Sequence, residues 1–165
     1  MDCKLTYREA VNLAMIREME ADPSVFTFGL DVPDHKRIFG STRNLVEKFG
    51  LRRCFGAPLS EDALTGVALG AALSGLRPVL VHIRADFMLL SMNQIANMVS
   101  CLRYMSGGKC RIPLVIRAVI RARMGTVGPA QQIASRNFRP HSRFKGCPSQ
   151  QTAGRLQPFT NGHSR

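Results

Sequence analysis

The residues best placed to do chemistry lie in one run, Pro58-Leu-Ser-Glu61-Asp-Ala-Leu-Thr-Gly66-Val-Ala-Leu-Gly70-Ala-Ala. It sets a carboxylate, Glu61, at the mouth of a helix made of small residues. A carboxyl group held in position can give a proton to a reacting group or take one from it, an effect worth about 10²–10⁴ in rate. Spacing alone also supports a plainer role, since an acid in the first helical turn is favoured by the helix dipole by roughly 0.3–1 kcal/mol. Asp62 reads as a solvated first-turn acid, and His82, inside an apolar strand run, reads as structural. Gly66 and Gly70, with Ala63 and Ala71, make a small-residue stripe that suits close packing on a sheet and a subunit contact equally. The five cysteines (Cys3, Cys54, Cys101, Cys110, Cys147) are odd in number and show no Cys-x-x-Cys spacing, which points to a reduced, intracellular protein.

The elements that must hold Glu61 follow from periodicity. Thr6-Tyr-Arg-Glu9 fits a capping box, and Ala10, Val11, Ala14, Met15 and Met19 recur at helical spacing, predicting a helix over about 7–21. Residues 25–32 read as a buried strand, 33–43 as a polar loop, 45–49 as a short helix and 53–57 as a second strand. Ser60 is placed to cap the Glu61 helix, which runs to about Ser74, with Gly75 as its stop. Residues 78–83 form a strand. Asp86 can cap a long helix to about Met105, with Phe87, Leu90, Ile95, Met98, Val99 and Leu102 on its buried side and a methionine stripe (Met88, Met92, Met98, Met105) in the core. Residues 113–120 form a further strand. Strands alternating with helices predict an α/β fold with a doubly wound, mainly parallel sheet.

The chain has 165 residues, 45% of them hydrophobic, and a formal charge of +12. Such a charge suits nucleic acid or an anionic surface, but its distribution does not. Residues 121–165 carry eight basic side chains and no acidic one, whereas residues 1–120 are nearly balanced. The tail has no recognisable nucleic-acid fold, so it supports at most non-specific binding. The N-terminus does not read as a signal peptide, and no apolar run approaches the 18 residues of a membrane span.

Pro58 to Ala72, together with Glu47-Lys-Phe-Gly50, Gly75-Leu-Arg-Pro78, Met92-Asn-Gln-Ile95, Tyr104-Met-Ser-Gly-Gly108 and Pro113-Leu-Val-Ile-Arg117, resembles one family. It is the beta subunit of the decarboxylating component of thiamin-diphosphate-dependent 2-oxo acid dehydrogenases, pyruvate dehydrogenase among them. The resemblance covers residues 4 to 120 and implies a transketolase-like pyrimidine-binding domain over 1–120. It implies that Glu61 meets the aminopyrimidine ring of thiamin diphosphate at N1′ as the catalytic carboxyl, that Phe87 packs on that ring, and that Ile83 touches it. It also implies an alpha subunit that holds the diphosphate and Mg²⁺, a lipoyl acyltransferase as acyl acceptor, and no metal on this chain. The compartment is left open between cytoplasm and mitochondrial matrix.

The chain departs from the family in three places. Leu30 stands where the family usually has a Glu near the cofactor, and Gly56-Ala57 stands where Asp-Thr is common. After Ile120 the family continues Gly-Arg-Gly-Trp-Gly-Gln, then Gln-His-Ser, whereas this chain reads Arg121-Ala-Arg-Met-Gly-Thr. Met124-Gly125 must be encoded ATG GGN, and one base downstream that becomes TGG, the Trp codon. With allowed third bases the same shift turns Arg121–Arg123 into Gly-Arg-Gly and Val127–Gln132 into Trp-Gly-Gln-His-Ser. The tail, 121–165, therefore reads as an off-frame, disordered extension of a truncated subunit. The expected function is that of an aminopyrimidine-binding fragment, inactive as it stands. The alternatives are a non-catalytic subunit-interaction remnant and a basic-tail binder of nucleic acid.

Overall fold

The computed structural model describes residues 5–34 and 40–119. The expectations for the tail, its reading frame and its disorder among them, lie outside the described residues.

The capping box forms as read. The Thr6 backbone N–H donates to Glu9 Oε2 at 2.8 Å and the Glu9 N–H donates to Thr6 Oγ1 at 3.3 Å, satisfying two amides that a helix start otherwise leaves bare. Helix α1 (Tyr7–Ala21) follows. It leads into β1 (Val25–Gly29), α2 (Leu45–Phe49), β2 (Cys54–Gly56), α3 (Glu61–Leu73) and β3 (Arg77–His82). A helical stretch then begins with α4 (Ala85–Met88) and ends with α5 (Ser100–Met105), before β4 (Val115–Ala118). The four strands form one parallel sheet in the order β2-β1-β3-β4. The chain leaves β1 for β2 on one side, then crosses back through α3 to β3 on the other.

Alternation along the strands builds a core on each face. On one face Val25, Cys54 and Val81 pack with Met15 and Met19 of α1 and Leu45 of α2. On the other Phe28 and Leu80 pack against Ala68 of α3, with Phe26 and Phe55 beside them. The rings of Phe26, Phe28 and Phe55 stack at 5.4–5.9 Å between centroids. Helices cover both faces, so the doubly wound α/β expectation holds. Arg53 ties the edge of this structure together. Its Nη2 donates to the carbonyls of Met19, Asp22 and Val25 at 2.7, 2.8 and 2.7 Å. That satisfies acceptors at the end of α1 which no helical N–H reaches.

Several sequence expectations are corrected. The strand read over 25–32 stops at Gly29, because Asp31 turns at a φ of 58°. Ser60 occupies the N-cap position of α3 but makes no side-chain cap, its ψ of 81° being far from the 155° at Thr6 where a cap does form. Asp86 does not cap the 85–105 stretch. Arg84 stands at that position, and Asp86 Oδ2 instead accepts from Arg84 Nε at 3.1 Å. Nor is that stretch one regular helix. A 3₁₀ turn at Leu89–Ser91 and a π-helical segment at Gln94–Val99 interrupt it. Each interruption shifts the helical phase, so the 3.6-residue pattern fails. Leu90 is 64% exposed, Met98 44% and Met105 73%, while Ile95 is buried. The methionine stripe is therefore not a core stripe, although Met88 is buried.

Gly29 pairs with Val81 across β1 and β3. A Cβ at Gly29 would lie 2.2 Å from the Val81 carbonyl oxygen, and its φ of +150° is one that side chains rarely adopt. Gly29→Ala should lower the unfolding free energy by about 3 kcal/mol. A loss below about 1 kcal/mol in urea denaturation would show that the two strands part freely here. Arg53→Lys should cost about 2 kcal/mol by the same assay, because a single ammonium cannot reproduce a planar fork on three carbonyls. An unchanged midpoint would show that the carbonyls are satisfied without it.

Candidate functional site

In an open parallel sheet, loops at the carboxyl ends of the strands part where the connections diverge to opposite sides, leaving a crevice. Here the divergence lies between β1, β2 and β3, and a groove occupies that place. Leu30 follows β1, Pro58 to Glu61 lead from β2 into α3, and His82 and Ile83 end β3. Phe87 of α4 and Leu64 of α3 complete the walls. The enclosed volume is about 10 Å³, room for one water molecule. The groove is thus an open wall on which a larger ligand would lie partly uncovered.

Each residue singled out from the sequence can now be placed. Glu61 opens α3, half-buried, and its backbone carbonyl accepts from the Thr65 hydroxyl at 2.8 Å. Its carboxylate makes no hydrogen bond or salt bridge among the described residues, which leaves it free to meet a ligand. Ile83 and Phe87 share the groove with it. Phe87 is 36% exposed and lies in neither core cluster, so the reading of it as a core residue fails. The Arg84 guanidinium lies 5.2 Å from its ring centroid. Leu30 also lines the groove, so an apolar side chain, not a second carboxylate, stands beside Glu61.

Asp62 is not solvated as expected. It is half-buried, and its Oδ2 accepts from Gln94 Nε2 at 3.4 Å, tying α3 to the π-helical segment. The small-residue stripe does not serve close packing within the chain, since a Cβ at Gly70 would meet nothing within 4 Å and one at Gly66 only Gln94 at 3.7 Å. Among the described residues no cluster of three metal-ligating side chains occurs, and no helix is long and apolar enough to cross a membrane.

His82, read from the sequence as structural, lies in the groove wall. It is 4% exposed, lines the groove, and its Nε2 is buried without a hydrogen-bond partner among the described residues. Burial holds its pKa below the usual histidine range, while the nearby Glu61 charge acts in the opposite sense. Its burial agrees with its place in an apolar strand run; the unpartnered Nε2 is what the sequence does not display.

Comparison with known proteins shows the family. The family described as transketolase, pyrimidine binding domain, matches residues 3–136. The chain belongs to that family. Among similar proteins, the pyruvate dehydrogenase E1 component subunit beta-4, chloroplastic, of Oryza sativa subsp. japonica is 38% identical over 152 residues, covering 92% of this chain and 36% of that protein. The pyruvate dehydrogenase E1 component subunit beta of Chaetosphaeridium globosum is 38% identical over 152 residues, covering 92% of this chain and 44% of the relative. The 2-oxoisovalerate dehydrogenase subunit beta of Bacillus subtilis (strain 168) is 41% identical over 114 residues, covering 69% of this chain and 35% of that protein. The chain thus spans less than half the length of these relatives. The family match and the 152-residue alignments run past Ile120, beyond the boundary set by the motifs quoted above.

The buried histidine carries a pH signature. The unfolded chain protonates His82 near pH 6.5, whereas the folded protein resists protonation to lower pH. The unfolded state therefore binds more protons as pH falls, and the stability held by the neutral ring is present above about pH 6.5 and lost below it. Urea denaturation between pH 7.5 and 5 should show a steeper loss for the native sequence than for His82→Leu. Parallel losses would mean that the ring is free to charge when folded.

Proposed function

We propose that this chain supplies the aminopyrimidine-binding wall of a thiamin-diphosphate-dependent 2-oxo acid dehydrogenase of the pyruvate type, as part of its beta subunit. The observation that carries the reading is the unpaired Glu61 carboxylate set among Leu30, Leu64, Ile83 and Phe87 in one groove at the strand ends. A flat heterocycle needs that combination: apolar walls for its faces and one charged acceptor for its edge. The residues present fit the group. Phe87 and Ile83 would flank the ring, and Glu61 would hold or exchange a proton at its N1′ edge. When bound, the cofactor supplies the carbon nucleophile for decarboxylation. The part of this chain is to orient the ring, keep water from its apolar face, and place a proton at one nitrogen.

The groove is open and no metal-ligand cluster occurs among the described residues. The open groove supports a shared cofactor; the family resemblance implies Mg²⁺ and the diphosphate on an alpha subunit and a lipoyl acyltransferase receiving the acyl group. Val67, Leu73, Leu90, Met98 and Met105 are exposed on α3 and on the 85–105 stretch, which supports a protein partner on that side. Leu30 in the groove supports the reading that the chain is inactive as it stands. For residues 121–165 we propose the off-frame reading, which sequencing of the DNA across codons 115–150 tests. A one-base correction restoring Gly-Arg-Gly-Trp supports it, and a DNA sequence that no single-base change brings into that frame removes it.

In a frame-restored chain assembled with its alpha subunit, Glu61→Ala should cut 2-oxo acid turnover by about 10²–10⁴. The assay is acyl transfer to a lipoyl domain. Unchanged turnover would take Glu61 out of the mechanism.

A further inference from the structure

The groove holds a second polar group that the reading above does not use. Leu80 and His82 lie two residues apart on β3 and point to the same face of the sheet. Leu80 is fully buried in the core beneath α3, against Phe28 and Ala68. Two residues on, where that core ends and the groove begins, the same row carries an imidazole. It is 4% exposed, and its Nε2 is buried with no partner among the described residues. A leucine or phenylalanine would fill this position without leaving a polar atom unsatisfied. Buried polar atoms in folded proteins are nearly always paired, and a ligand drawn into the groove would supply the partner that this atom lacks. His82 and Glu61 line the same groove, and the Glu61 charge acts on the imidazole.

We propose that His82 is a binding residue of the Glu61 groove. Its Nε2 hydrogen-bonds the edge of the heterocycle seated against Glu61. The inference rests on the aminopyrimidine reading given above and extends it. The ring is then recognised at two points, a carboxylate from the start of α3 and an imidazole from the end of β3, with apolar walls between them. Nitrogen-rich rings that present donors and acceptors on more than one edge would be preferred over phenyl rings of the same size.

The test uses the full chain and 4-amino-5-hydroxymethyl-2-methylpyrimidine as probe, at millimolar concentration and pH 7.5. Binding is read by ligand-observed NMR, the imidazole nitrogens of His82 by ¹⁵N–¹H correlation, and stability by thermal unfolding. His82→Leu should unfold at the same temperature as the native sequence or higher, since it removes an unsatisfied group. It should bind the probe about three- to tenfold more weakly. His82→Gln, which returns a polar atom to the position, should regain part of that affinity. In the native sequence the Nε2 resonance should move on addition of the probe. A lower unfolding temperature for His82→Leu would assign the ring a structural role and overturn the proposal. So would undiminished probe affinity in His82→Leu, or an Nε2 resonance that the probe leaves unmoved. If Glu61→Ala loses the probe while His82→Leu keeps it, the aminopyrimidine reading stands and the role of His82 does not. If the native sequence does not bind the probe, both fall.

Discussion

The contact on which the site depends is the approach of Gly29 to the Val81 carbonyl. With no side chain at Gly29, β1 and β3 lie in register, Gly29 opposite Val81 and Thr27 opposite Val79. That register brings the strand ends level. Leu30 leaves β1 at the height where His82 and Ile83 leave β3, and all three reach the same groove. Because side chains alternate along a strand, a slip of one residue would turn His82 toward α1 and bring Val81 to the α3 face. The groove is therefore a product of strand register first and of loop conformation second.

The electrostatics of the groove follow from that placement. In parallel sheets both faces are covered by helices, so a polar side chain near a strand end is buried unless it projects into the crevice. His82 is held there as a neutral ring, and Glu61 remains a single carboxylate with no cation paired to it among the described residues. Leu30 keeps the opposite wall apolar. A site with one unpaired acid and otherwise uncharged walls presents little competition for a ligand proton.

Much of this arrangement is legible from residue order. The Thr6–Glu9 capping box, the short apolar strands and the helix opening at Glu61 are set by local chemistry, and local chemistry is what a sequence displays. The groove membership of Glu61, Ile83 and Phe87 followed from motif resemblance and not from periodicity, which left Glu61 as a dipole-favoured acid and Phe87 as a core residue. What stayed hidden depends on tertiary packing. The π-helical segment at Gln94–Val99 adds backbone length without any proline or glycine to mark it, so the face assigned to Leu90, Met98 and Met105 could not be read from a 3.6-residue period. The missing cap at Ser60 depends on a ψ set by the approach from β2, and the orphaned Nε2 of His82 depends on how α3 closes over the strand end.

The openness of the groove bears on how such a site can work under the proposed reading. An enclosed space of about 10 Å³ admits one water, so one face of a bound ring would remain wet. Proton exchange between a carboxyl group and a ring nitrogen gains from a dry surround, where the interaction is less screened. The wall formed by the described residues can orient the ring and offer the acid, but it leaves one face to solvent. Under the proposed reading a partner subunit supplies the cover. The exposed apolar residues of α3 and of the 85–105 stretch, Val67, Leu90 and Met98 among them, belong to the same elements that carry Glu61 and Phe87. A partner seated on those elements would contact the helices that position the acid and the aromatic wall. Burial of the partner's surface and the fixing of Glu61 would then be parts of one association step, so that the acid is held in place only when the site is also closed to water.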